Sequence, residues 1–186
     1  MTDDAAASPE PWMTGGELPT VSVVIPCRNE KGFIQRAVGA FLDNDYPRDK
    51  LEVLVADGMS DDGTRDVLAE MAKNDPRVVI VDNPDRAAPA GMNRGIRQSR
   101  GELVIIIGGH TVAHPDYLRQ CVQTFREHPD IGRAGGVMNT INTTWTGRVI
   151  AAASSNPVGV GASNWRLNRK AGYTDDATFG AYRRWV

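Results

Sequence analysis

The chain has 186 residues, 41% of them hydrophobic and 24% charged, which is the make-up of a globular domain with a proper core. Lys and Arg number 21 against 23 Asp and Glu, and a net charge of −2 excludes a general nucleic-acid binder, which needs a basic face. Two cysteines, Cys27 and Cys121, show neither metal nor disulfide spacing, and the absence of any apolar run of about 18 residues excludes a membrane-spanning helix.

Residues 1–19 are rich in Ala, Pro, Gly and acidic residues without a period, and read as a disordered leader. They hold neither the basic nor the apolar region of a secretory signal, so a reduced, cytoplasmic setting is expected. Val21–Pro26 is a short β-branched run fit for a strand buried on both faces, ended by Pro26. Asn29 is placed to cap a helix whose inner face carries Phe33, Ala37, Ala40 and Phe41. Leu51–Ala56 is a second buried strand. The turn from Asp57 to Thr64 offers four side chains able to cap the next helix, which runs on Val67, Leu68 and Met71 and stops at Asp75-Pro76.

Arg77–Val81 is the third strand and Asp82–Ala88 a loop. A helix over roughly Ala90–Ser99 follows, with Pro89 in its first turn and Gly91 and Gly95 marking a close approach. Glu102–Ile107 is the most apolar strand, expected at the centre of the sheet. Pro115 opens a helix that turns Tyr117, Cys121, Val122 and Phe125 inward. Ile131–Met138 reads as a strand, Thr144–Ala153 as a helix, Asn156–Ser163 as a Gly-rich loop and Ala177–Tyr182 as a last strand. Strands alternating with three-turn helices define an α/β fold with a mostly parallel sheet.

Loops that follow consecutive parallel strands leave the same edge of the sheet, the edge where open α/β sheets bind ligands. Arg28, Asn29 and Glu30 are therefore expected near Asp57, Ser60 and Asp61. A carboxylate at a strand end accepts from a nucleobase imide N–H or from ribose hydroxyls. The same residues also suit purely structural roles: Glu30 in a helix's first turn and Asp57 in an Asx-turn. Asn93 presents a polar group to a phosphate or sugar, whereas the arginines around it read as solvated charge. Gly108, Gly109 and His110 end the central strand, where a metal or diphosphate would be held. His110 reads equally as a hydrogen-bonded loop histidine, and one neutral imidazole is a poor Mg²⁺ site. Gly159-Val160-Gly161 lacks the rest of a dinucleotide fingerprint.

Three ordered blocks, VSVVIPCRNE, VLVADGMSDDGT and PAGMNRGIRQSRGELVII, resemble the nucleotide-sugar-binding half of family 2 glycosyltransferases. The segments NPVGVGASNWR and TFGAYRR extend the likeness toward the succinoglycan-biosynthesis branch of bacterial enzymes, over Val21 to Arg184. The resemblance implies a GT-A-like (Rossmann-like), mostly parallel central sheet flanked by helices. It makes residues 20–186 the nucleotide-sugar-binding part of such a domain, incomplete at its C-terminus. It assigns Pro26, Arg28, Asn29 and Glu30 to the nucleoside, Asp57 to the base, and Ser60, Asn93 and Gly109 to the nucleotide sugar. His110 falls in the metal motif for Mg²⁺ or Mn²⁺.

The reaction implied is inverting transfer from a nucleotide-diphosphate sugar, a UDP-sugar above all, to a hydroxyl of a saccharide or lipid-linked saccharide. Its setting would be polysaccharide or glycolipid synthesis at the inner face of the membrane, with peripheral membrane association through a partner. Two departures stand out. Gly108 takes the place of the leading metal-motif Asp, which removes a hard oxygen ligand. The family's catalytic base lies downstream of the strand that TFGAYRR matches, so no catalytic residue is assigned. A sheet edge bared there implies self-association. Two alternatives stay open: a non-catalytic nucleotide-binding or interaction module, and a gene-fragment remnant. A nucleotidyltransferase would want a basic Gly-rich loop after the first strand, which CRNE is not.

Overall fold

The computed structural model describes residues 10–136, 144–153, 172 and 180–184. Six strands follow one another as Val21–Cys27 (β1), Leu51–Asp57 (β2), Val78–Asp82 (β3), Leu103–Ile106 (β4), Arg133–Gly135 (β5) and Gly180–Arg183 (β6). The helices are Pro11–Thr14 (α1), Ile34–Leu42 (α2), Thr64–Asn74 (α3), Ala88–Gln98 (α4), Tyr117–Glu127 (α5) and Trp145–Ala153 (α6). Together the strands form one sheet in the order β3-β2-β1-β4-β6-β5. β1 runs parallel to β2 and to β4, β2 runs parallel to β3, and β6 lies antiparallel to β4. The chain divides into two units, residues 1–134 with 181–186, and residues 135–180.

Connections between parallel strands are right-handed. The order therefore puts α2 and α3 on one face, as the chain steps from β1 to β2 to β3. The return from β3 to β4 carries α4 across the other face. Val24, Leu54, Ala56, Val81 and Val104 form the buried cluster to which Ile96 of α4 adds. A Cβ at Gly95 would lie 2.4 Å from Val24 Cγ1, so a side chain there would force α4 off β1. This is the close approach that the glycines of this helix predict.

Several elements differ from the sequence-based expectation. Pro26 lies inside β1, in register with Ala56, and the strand continues to Cys27. Alternate backbone groups of a strand point to the same side, so Pro26 faces the side of β4, whose pairing with β1 ends at Ile106. No ladder donor is lost there. Residues 10–19, expected to be disordered, are folded: Trp12 and Met13 are buried, and Trp12 meets Phe125 of α5 edge-to-face at 6.1 Å between ring centres. Arg126 Nε donates to Trp12 O, and Tyr46 Oη donates to Pro19 O. β3 and β4 are each shifted or shortened by a residue or two at their ends, where ladders fray. Residues 1–9, the loop at 156–163, and residues 137–138 and 177–179 of two expected strands lie outside the described residues.

Candidate functional site at the carboxyl edge of the sheet

The loops after β1 and β2 are laced together by reciprocal hydrogen bonds. Asn29 takes a left-handed conformation (φ 56°), which Asn tolerates better than most residues. That bend turns its side chain onto the second loop. Its Nδ2 donates to Asp61 Oδ1 at 3.0 Å, its Oδ1 accepts from Asp61 N at 3.1 Å, and its own N–H donates to Ser60 Oγ at 2.9 Å. Glu30 N donates to Thr64 Oγ1 and Lys31 N to Asp62 Oδ2. Asn29 is thus a clamp between loops and not a helix cap; α2 begins five residues later, at Ile34.

In the second loop, Asp62 Oδ1 accepts from both the N–H and the hydroxyl of Thr64, the first residue of α3. The hydroxyl bond holds the Asp62 carboxyl below the usual carboxylate range. Gly63 carries φ 94°, and a Cβ there would collide with Lys31. Of the four side chains expected to cap α3, Asp62 alone serves its first turn. Asp57 instead closes its own turn, accepting from Ser60 N and Ser60 Oγ, and pairs with Arg65 Nη1 at 2.7 Å.

The loop after β4 joins the same edge. A Cβ at Gly109 would lie 3.2 Å from Cys27 Cβ and 3.5 Å from Glu30 Cγ, so the absence of a side chain lets this loop sit against the first. His110 Nδ1 lies 3.5 Å from Glu30 Oε1, with the imidazole exposed. Arg28 is exposed, and its Cβ and Cδ pass over Gly58. Pro26, Arg28, Asn29, Glu30, Asp57, Ser60, Gly109 and His110 therefore gather on one edge. Asn93 is exposed on α4, and no hydrogen bond ties it to this cluster among the described residues.

Sequence reasoning missed three residues here. Arg65 in the first turn of α3 bridges Asp57 to Asp82, with Nη2 2.7 Å from Asp82 Oδ1. Asn83, just past β3, is buried; it donates to Ala87 O while its Oδ1 has no partner among the described residues. For Asp82 and Asn83 the signal was their place at and just past the end of β3; Arg65, in the first turn of α3, carried none. Cys27 is no nucleophile, since burial, with Asp57 and Glu30 nearby, pushes its thiol up to about 12.

The residues at the end of β4 do not suffice for a hard divalent cation. Gly108 and Gly109 bring no side chain, and the carboxylate paired with His110 among the described residues is Glu30. Among the described residues, no group of three His, Cys, Asp or Glu side chains is placed to hold a metal.

Comparison with known proteins gives a consistent answer. The glycosyl transferase family 2 profile matches residues 22–184. A dolichyl N-acetyl-α-D-glucosaminyl phosphate 3-β-D-2,3-diacetamido-2,3-dideoxy-β-D-glucuronosyltransferase of Methanococcus voltae is 29% identical over 168 residues, 87% of this chain and 52% of that protein. Succinoglycan biosynthesis protein ExoA of Rhizobium meliloti is 34% identical over 115 residues, 60% of this chain and 34% of that protein. This chain spans about half the length of the first and about a third of the second. Among solved structures, the mannosyltransferase PcManGT of Pyrobaculum calidifontis, in complex with GDP-Man and Mn²⁺, superposes with a TM-score of 0.65 at 24% identity, over 96% of this chain and 47% of that one. S. aureus TarS 1-349, in complex with UDP, gives 0.59 at 20% identity, over 67% of this chain and 37% of that one.

Proposed function

This chain belongs to glycosyl transferase family 2 and has the GT-A type of fold; from that premise we propose that its carboxyl edge holds the nucleotide of a UDP-sugar. The protein that it forms or belongs to then transfers the sugar, with inversion, to a hydroxyl of a saccharide or lipid-linked saccharide. The observation that carries the reading is the convergence of three strand-end loops on one edge. The Asn29–Asp61 and Asn29–Ser60 bonds tie the first two of these loops together. Backbone and side-chain polar groups from the loops after β1 and β2 would meet base and ribose, and the loop after β4 would meet the diphosphate.

In the reaction, the acceptor oxygen attacks the anomeric carbon as the bond from that carbon to the diphosphate oxygen breaks. The acceptor proton passes to a carboxylate base, a role that none of the described residues is assigned. The family likeness implies a divalent cation, which would neutralise the leaving diphosphate, and His110 is the motif residue here with a ligating side chain. Because the residues present do not make up a cation site, no step is routed through one.

The test is calorimetric titration of the chain with UDP, with ADP and GDP as controls, with and without Mn²⁺. UDP-selective binding is expected, with Mn²⁺ changing Kd by less than about threefold because the hard oxygen ligand at Gly108 is missing. Failure of a demonstrably folded chain to bind UDP overturns the reading.

A further inference from the structure

We propose that the outward face of α6 docks on the surface of an anionic lipid bilayer, so that the chain meets a membrane directly and not through a partner. The inference stands apart from the nucleotide site and does not rest on it.

Helix α6 is amphipathic the wrong way round for a helix of a soluble core. Thr144 starts it: its Oγ1 accepts from Gly147 N–H at 3.1 Å, and its carbonyl accepts from Arg148 N–H. At about 100° per residue, Gly147 and Ala151 share one side of the helix and Trp145 and Val149 the opposite side, with Arg148 and Ile150 on the two flanks. Gly147 is buried and Ala151 partly buried, and the other seven residues of Trp145–Ala153 are exposed. The small side chains thus face inward and the large apolar ones outward: Trp145 is 72% exposed, Ile150 64% and Val149 50%. By contrast, α2 and α5 bury their large residues, Phe41 and Phe125 among them. Single exposed apolar residues are ordinary, but three gathered on one nine-residue helix mark an interaction surface.

Charge says what covers it. Residues 135–180, the unit that holds α6, carry four basic side chains, Arg148, Arg166, Arg169 and Lys170, against Asp175 and Asp176. The rest of the chain carries 17 basic against 21 acidic residues. From Ile131 to Thr174 the sequence has no acidic residue at all. A second copy of this chain would set two like-charged faces against each other. A nucleic acid would pair with the charge and leave Trp145, Val149 and Ile150 in water. A bilayer with anionic headgroups takes both features. The Trp145 indole suits the headgroup level, Val149 and Ile150 suit the acyl boundary, and Arg148 reaches the phosphates on its aliphatic stem. Nine residues of helix span about 14 Å, too little to cross a bilayer. Among the described residues no helix is long and apolar enough to cross one, so α6 would lie in the plane of the surface.

The experiment is vesicle co-sedimentation of the full chain, with unfolding midpoints to establish that every variant is folded. The wild type is expected to bind phosphatidylcholine vesicles containing about 30% phosphatidylglycerol about tenfold or more tightly than pure phosphatidylcholine vesicles, and to lose that preference in about 0.5 M salt. Val149→Asp and Ile150→Asp, both at exposed positions, should each weaken binding about tenfold or more at an unchanged unfolding midpoint, and Trp145→Ala should weaken it in the same direction. Arg148→Glu should weaken binding to the anionic vesicles and leave the weak binding to pure phosphatidylcholine unchanged. A wild type that ignores both kinds of vesicle, or binds them alike, overturns the inference. So do Asp variants that bind as the wild type does. Self-association that Val149→Asp abolishes, without vesicle binding, assigns the face to a second copy of the chain and overturns it too.

Discussion

Asp75 shows how much one residue can tie together. Arg77 grips its carboxylate with Nε and Nη2, at 3.0 and 2.7 Å, while Nη1 of the same arginine donates to Leu42 O at the end of α2. These bonds hold the Asp75 carboxyl down to about 2. A carboxylate depressed on folding adds stability that is complete above its unfolded value of about 4 and is lost as pH falls through its folded value. Acid titration of unfolding should therefore show stability falling between pH about 4 and about 2. Asp75→Asn should be less stable at neutral pH and flatter across that window; an unchanged slope would refute the assignment. At the same scale the site was only partly legible. Asn29, Asp57 and Ser60 were expected on one edge because strand ends converge, and they are there. Their partners were partly legible: Asp57 was also read as closing a turn, and it does so with Ser60, whereas its pairing with Arg65 was not foreseen and Asn29, read as a cap, clamps two loops. Which donor reaches a carboxylate depends on χ angles and loop paths that a one-dimensional pattern does not contain.

At the scale of elements, α1 shows the largest departure from expectation. Four residues without a core of their own cannot hold a helix in water, and composition alone reads this stretch as a tail. It is held by tertiary contacts: Trp12 is 3% exposed against Phe125, and Arg126 donates to Trp12 O and Glu17 O. Trp12→Ala should cost about 3–5 kcal/mol in chemical denaturation, in the range of large buried aromatics. A loss well under 1 kcal/mol would mean that the segment is only laid on the surface. α5 is fixed from outside its own sequence as well. Asn44, beyond the end of α2, accepts from Leu118 N in the first turn of α5 and donates to His114 O just before it. Helix α4 was foreseen more fully, since a glycine at 95 carries in the sequence the signature of the close contact with Val24 that the fold makes.

For the molecule as a whole, strand order and edge polarity decide where function lies. β1, β2 and β4 end on one side, and their loops form the candidate site. At the opposite edge the chain is tied by structural bonds, with Ser22 Oγ accepting from Gly101 N–H and donating to Glu52. If the carboxyl edge is the donor site, UDP should slow amide hydrogen exchange in residues 28–31 and 58–64 and leave residues 99–103 unchanged. Protection confined to residues 99–103 would place the ligand at the wrong edge. The sequence by itself determined the class of fold and the order of its elements, because buried parallel strands and amphipathic helices leave hydrophobic periods that need no partner to be read. It determined the family too, through three ordered blocks. Only the tertiary structure decided that residues 10–19 fold, that Pro26 lies within its strand, and that Arg65 joins Asp57 to Asp82. Each of these rests on a contact between residues distant in the chain, whose energy comes from burial and pairing that no local pattern encodes.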